Sequence, residues 1–515
     1  MKMLSRNPVA TILILLLPLA SFFLLLGGAP LFDVDEGAFS EATREMFARG
    51  DFLSTYLNGE HRFDKPILVY WFQALGYLIF GANEWAFRLP SALAATIWSY
   101  ATWYFARQRF GPDTALAALA VAATAIGPFA IGRAATADAL LNMLLALALF
   151  DAWRHLESGQ RTPLLRSYVW IALGVLTKGP IALIVPGTVT LLYCATRGEW
   201  KRWARAVFDP TGWVILAVLV LPWYLYALFT HGQNFIDGFI LKHNVERFTG
   251  TLEGHTGSLF YYIVAVPLLL LPWTSPLIAS LRNIRADAGT SVRRFLWIWA
   301  GFVVVFFSLS GTKLPHYVLY GATPLFLLIA AHRDNLRRGW VHFGPVTLLL
   351  ALFVTLPLVF DLLSASSAGN AYYRAQLGDA LARADTIYYA VTLGCLLLWL
   401  AVALRLPASI WSKMMIGAAL QVLALTTVVV PWVGDVLQGP VKEAAAFVRE
   451  RPEPVVTWRL DVPSLSVYRE AVTPSRAPLP GELAVTRIDR IPETGYETLF
   501  LKGGVAVIRQ QVAEE

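Results

Sequence analysis

The sequence predicts a helical protein threaded many times through a membrane, and three observations support this. Hydrophobic residues make up 57% of the 515 residues and charged residues only 15%, with a mean hydropathy of +0.55. A soluble chain of this length needs far more charge to cover its surface. Apolar runs of bilayer-crossing length, roughly 17–25 residues, recur along the chain. Clusters of Lys and Arg alternate with loops of different character, as the positive-inside rule requires.

The apolar runs fall near 8–29, 84–105, 114–131, 139–153, 167–177, 180–196, 211–230, 258–281, 295–310, 316–331, 341–363, 386–404 and 412–433. These are about thirteen helices. The fourth and fifth are short, which leaves room for one to be re-entrant. The run at 8–29 reads as a retained first helix, since no distinct A-x-A-like cleavage site follows it. With the N-terminus inside, the basic clusters at 2–6, 107–109, 154–166, 197–205, 282–294, 333–338 and 405–413 all fall on the cytoplasmic side. An odd count then puts everything after Pro431 outside. The segment 66–80 is apolar but short for a span, and reads as interfacial or packed on the bundle.

From about Gly434 the composition changes. Prolines, charges and β-type stretches (PVVTWRL, ELAVTRI, GVAVIRQ) follow a helical piece near 440–450. Residues 1–433 therefore read as a membrane domain and 434–515 as a small outward α/β domain. The net charge of +7 sits in orientation clusters that do not interleave with aromatics on a soluble face, which argues against a nucleic-acid partner. Cys194 and Cys395 both lie in apolar runs, form no metal-ligand spacing and require no disulfide.

The outward loops hold the candidate chemistry. In the first, 30–83, Asp35 and Glu36 stand at the exit of a membrane helix, where carboxylates facing a cavity are functional candidates; the plainer reading is a solvated juxtamembrane helix. Lys65, beside Asp64 and before Pro66, suits a lipid-linked phosphate at headgroup depth, or else snorkels. Arg88 starts the next span from the same side, within reach of that phosphate or of the Asp35/Glu36 carboxylates. Asp138, near Arg133, is a second acid at a helix mouth or a helix cap. Lys178 interrupts an apolar stretch and needs an anionic partner. Glu246, Arg247 and His255 share a later outer loop, and Lys313, His316 and Tyr317 an outer helix junction. Basic residues from several loops on one face suggest a phosphate site.

These segments resemble a known family. DVDEGAFSEATREM, FDKPILVYWFQALGYLIFGANEWAFRLPSALAA, ATADALLN, LTKGPIALIVPG, LPWYLYAL, NVERF…GHTGSLFYY and SGTKLPHYVLYGATPL look, in this order, like the bacterial GT-C glycosyltransferases related to protein O-mannosyltransferases. Closest in pattern is the lipid A aminoarabinose transferase branch. The resemblance covers roughly 30–330. It implies a GT-C fold in a bacterial inner membrane and an inverting, metal-independent or weakly metal-assisted transfer. The sugar would come from a polyprenyl (undecaprenyl) phosphate and pass to lipid A, another envelope glycan or a protein on the periplasmic side. By similarity Asp35 is the main catalytic carboxylate, with Glu36 beside it and Asp138 as second acid. Lys65, Arg88, Lys178, Lys313, Tyr317 and Arg247 contact carrier phosphate or cavity. Asp64 and His255 occupy the places of a divalent metal site (Zn, Mg or Mn) near the phosphate. Asp64 stands where the branch has glutamate, and the motif reads Lys-Pro-Ile where the branch has Lys-Pro-Pro. A polytopic transporter or lipid-linked-substrate flippase is the competing class; its ionisable residues would lie at mid-membrane.

Overall fold

The structure is a computed structural model, in which residues 7–246, 250, 257–367 and 369–511 are described. Each of the thirteen apolar runs falls on a helix or a broken pair of helices. Among the described residues six helices are long and apolar enough to cross a membrane unaided, or seven if one bent pair counts as a span. The others are shorter, broken or carry charge. They pass as part of the bundle because their polar groups find partners inside it.

The chain opens with α1 (Pro8–Phe23), α2 (Asp35–Arg49) and a two-stranded turn, β1 (Tyr56–Leu57) with β2 (Glu60–His61). Then come α3 (Leu68–Phe80), α4 (Glu84–Phe110), α5 (Pro112–Thr124), α6 (Ile126–Gly132), α7 (Asp138–Ser158), α8 (Arg161–Lys178) and α9 (Ile181–Ala195). α3 buries Tyr70, Gln73 and Ala74 and leaves Leu75, Leu78 and Ile79 exposed. An amphipathic helix of this length fits the membrane interface.

The short runs expected at 139–153 and 167–177 are the N-terminal part of one longer helix and the C-terminal part of another. α7 has 21 residues and α8 has 18. α7 runs on to Ser158 and α8 starts back at Arg161, and Arg154 and Arg166, which lie just beyond the two apolar stretches, both pair with Asp151 of α7. The break lies instead in the run 114–131, where α5 and α6 meet at 61°. Ala125 is extended, the Ile126 amide donates to Leu271 O at 3.0 Å in place of a helical acceptor, and Pro128, which has no N–H, cannot bond back to Thr124 O.

After α10 (Trp200–Val207) and α11 (Pro210–His231), a π-helical turn spans Ile236–Glu246. The later spans include Ser291–Leu309, Gly339–Ser366 and Thr386–Arg405. The final helical rod runs from Ile410 through a π-turn at Leu425–Val429 to Arg449, without a break at 434. It enters a four-stranded sheet, β3 (Val455–Thr457), β4 (Leu483–Arg487), β5 (Tyr496–Lys502) and β6 (Val505–Gln510), in the order β3-β4-β6-β5. β3 and β4 pair in parallel and the rest antiparallel.

This small domain is fastened to the first loop. Asp33 Oδ1 accepts from the Ser464 amide at 2.9 Å and Oδ2 from the Ser464 hydroxyl at 2.5 Å. The Tyr468 hydroxyl accepts from the Leu31 amide and donates to Glu84. Gly37 is needed for this approach: a Cβ there would collide with Asp33 Oδ1 and lie 2.5 Å from Ser464 N.

Candidate active site

α2 is polar in sequence yet almost entirely buried from Glu36 to Met46, because its charges are satisfied from within. Glu41 takes a two-point bond from Arg44, 2.7 Å at each oxygen. Glu36 accepts from Arg88 Nε and the Ala135 amide on Oε1, and from Arg88 Nη2 and the Phe32 amide on Oε2. Arg88 also donates to the Leu26, Ala29 and Pro30 carbonyls. All five of its N–H groups are thereby occupied. Of the two readings of Arg88, phosphate contact or partner of the Asp35/Glu36 carboxylates, the geometry has the second: Glu36 and Arg88 are bonded to each other and to backbone.

Asp35, one residue earlier, is different. It faces open space, and among the described residues its carboxylate has no direct partner. It lines a cavity of about 800 Å³ together with Asp138, Lys65, Lys178, Tyr317 and His316. Asp138, at the start of α7, accepts from Lys178 Nζ at 2.6 Å and from the Tyr320 hydroxyl at 3.3 Å, with His316 Nε2 at 3.8 Å. Lys178, at the end of α8, thus has the anionic partner its depth demands, and its ammonium also lies over the Tyr317 and Tyr320 rings.

Across the cavity Lys65 Nζ meets Asp64 Oδ1 at 2.5 Å, and Arg62 Nη2 meets Oδ2 at 2.8 Å. His243 Nδ1 stands 2.9 Å from the same Oδ1. Burial works against charge on Asp64, but Lys65, His243 and Arg62 more than offset it and hold the carboxyl well below its usual range. Lys313 is not brought in: it is buried and donates to its own Ser310 carbonyl at 2.6 Å. Arg247 and His255 lie outside the described residues.

Sequence reasoning missed the contributions of Arg62, Lys242 and Asp461 to this cavity, while His243 was readable as a residue of the outward loop 231–257. Arg62 was readable as a second cation three residues before Lys65. Lys242 and His243 are delivered by the π-turn, a device frequent at functional sites but invisible to hydropathy. Asp461 comes from the small C-terminal domain, over 390 residues away in the chain from Asp64.

Of the two residues expected at a metal site, His255 lies outside the described residues and Asp64 is bonded to Lys65 and Arg62. Among the described residues no group of three His, Cys, Asp or Glu side chains is arranged to hold one.

A second, apolar groove of about 650 Å³ runs along the bundle past Leu26, Phe129, Leu319 and Val429. Val34, Asp35, Thr136, Asp138 and His316 line both the groove and the polar cavity. The two acids therefore stand where an oily channel opens into a charged one.

Residues 64–226 match the family described as Dolichyl-phosphate-mannose-protein mannosyltransferase. The chain is 28% identical over 318 residues, 60% of its length, to the undecaprenyl phosphate-alpha-4-amino-4-deoxy-L-arabinose arabinosyl transferase of Edwardsiella ictaluri, of which that alignment covers 57%. It is 29% identical over 332 residues to the protein of the same name from Serratia proteamaculans, covering 62% of this chain and 59% of that one. The matched region thus spans less than two thirds of these relatives. The crystal structure of ArnT from Cupriavidus metallidurans bound to undecaprenyl phosphate superposes with a TM-score of 0.80 over 98% of both chains, at 22% identity. Its apo state gives 0.79. The fold is shared from end to end.

Proposed function

We propose that this chain, an ArnT-like glycosyltransferase of the GT-C superfamily, moves a sugar from an undecaprenyl-phosphate-type carrier to an acceptor at the outer face of a bacterial inner membrane. The observation that carries the reading is the meeting of the apolar groove and the charged cavity at Asp35 and Asp138. A carrier with a long hydrocarbon tail and an anionic head needs both environments side by side. Relatives named as undecaprenyl phosphate aminoarabinose transferases supply the donor class; lipid A, another envelope glycan or a protein is the acceptor.

In this reading the polyprenyl chain lies along the groove and its phosphate comes to Lys65, with Arg62, Lys242 and Lys178 as surrounding positive charge. A departing phosphate monoester needs charge stabilisation more than protonation, and cations held in a preformed cavity give it without reorganisation. Asp35, with no direct partner among the described residues, is placed to orient or deprotonate the acceptor hydroxyl or amine at the anomeric carbon. Asp138, tied to Lys178, positions the sugar or carrier from the opposite wall. Residues 434–515 form a periplasmic domain above the cavity, and the basic clusters at the other end of the bundle lie in the cytoplasm. The ionisable groups of the cavity lie at one end of the bundle, not at its middle, which favours an enzyme over a transporter.

The test is a transfer assay with purified protein, a polyprenyl-phosphate sugar and lipid A, followed through released polyprenyl phosphate. Asp35→Asn and Lys65→Ala should each abolish release while the protein still melts as wild type does. Undiminished release from either variant would overturn the assignment.

A further inference from the structure

At the end of the bundle opposite the active-site cavity, a groove of about 620 Å³ lies over α7 between α4 and α8. None of its lining residues borders the catalytic cavity or the apolar channel. Toward mid-bundle its walls are Ala101, Leu147 and Trp170; at the helix ends they are Arg109, Arg154 and Arg166. Exposed Tyr104 and, higher on the same helix, Ile97 and Leu93 mark this side of α4 as facing outward from the bundle.

The arginines are held in place. Asp151, 3% exposed, accepts from Arg154 Nη1 at 2.8 Å, Arg166 Nη2 at 2.7 Å and Trp170 Nε1 at 3.0 Å. Arg109 Nη1 donates to Glu157 at 2.6 Å. Three guanidinium groups against two carboxylates leave one positive charge over. Arg109 Nε is buried and finds no acceptor among the described residues, although a buried N–H ordinarily has one. A cluster serving only to orient the chain needs no cavity and no fixed forks, because solvated lysines suffice.

We propose that this groove binds the headgroup of an anionic phospholipid. Its phosphate would be held by Arg109 and the Asp151-braced forks of Arg154 and Arg166, and an acyl chain would run up past Leu147 and Trp170. Guanidinium forks match phosphate oxygens in geometry as well as charge, and basic pockets between membrane helices on the cytoplasmic side are a known form of lipid recognition.

The experiment is native mass spectrometry of the full-length protein in detergent, titrated with phosphatidylglycerol or with phosphatidylethanolamine of the same chains. One surplus cation near the membrane surface corresponds to about a fivefold preference for the anionic lipid, and this is the result expected of the wild type. Arg109→Gln with Arg166→Gln, which leaves one guanidinium against two carboxylates, should bring retention of phosphatidylglycerol down to or below that of phosphatidylethanolamine. Glu157→Gln, at a half-exposed position, should raise it by removing a competing carboxylate. Should the double variant fail to fold, Glu157→Gln alone decides. Equal retention of the two lipids by the wild type, or no response to Glu157→Gln, would overturn the proposal. So would displacement of the lipid by millimolar inorganic phosphate, which would assign the site to a soluble anion.

Discussion

Arg88 grips Glu36 through two parallel hydrogen bonds, Nε to Oε1 at 2.9 Å and Nη2 to Oε2 at 2.7 Å, with both residues 3% exposed. The same carboxylate holds the amides of Phe32 and Ala135, and the same guanidinium holds the carbonyls of Leu26, Ala29 and Pro30. One ion pair therefore ties the exit of α1, the start of α2, α4 and the approach to α7 to one point. Asp35 sits on that point and borrows its rigidity.

Arg88→Met should consequently act on the fold before it acts on chemistry. Removing one partner of a buried pair leaves the other uncompensated, at a cost of about 3–5 kcal/mol. Thermal unfolding in detergent should show a marked drop for Arg88→Met and for Glu36→Leu, against an unchanged melt for Asp35→Asn. If Arg88→Met melts like the wild type and loses only activity, Arg88 touches substrate after all and the strut assignment fails.

The Asp138–Lys178 pair allows a sharper separation. Lys178→Met strands a buried carboxylate and Asp138→Asn strands a buried ammonium, so each single variant should lose stability as well as transfer. The double variant removes both charges, and contacts in one network are not additive. It should recover most of the melting temperature and none of the activity. Recovered transfer in the double variant would show that the pair only supports the fold.

How much of this was readable beforehand depends on the distance over which each feature is set. Apolar runs encode helices locally, so the membrane bundle was legible run by run. The lengths of α7 and α8 were not, because the charges that extend them are paired between helices: Arg166 of α8 answers Asp151 of α7. Asp35, Lys65 and Asp138 were legible as ionisable residues at helix mouths. The roles of Glu36 and Arg88 could not be told from that of Asp35, since only packing reveals which of two adjacent carboxylates turns inward. Asp461 reaches the cavity only through the docking of the small domain, which no local pattern announces.

That docking gives the last prediction. Burial is the largest influence on the Asp33 carboxyl and raises it from 3.8 to about 7; the Ser464 donors pull it down, and Asp461 and Glu36 push it further up. A group raised in the folded state stabilises most when protonated. Its contribution is complete below about pH 4, the unfolded value, and is lost as pH rises through about 7. The contact between Asp33 and the helix Ser464–Arg469 should therefore loosen between pH 6 and pH 8. Amide hydrogen exchange over 464–469, corrected for its intrinsic pH dependence, should accelerate across that interval in the wild type. Asp33→Asn, which cannot ionise, should flatten the response. Gly37→Ala, whose Cβ would push against Asp33 and Ser464, should raise exchange at every pH. Identical pH slopes for the wild type and Asp33→Asn would remove Asp33 from the account and leave the other fastenings, Tyr468 to Leu31 and Glu84, to hold the domain alone.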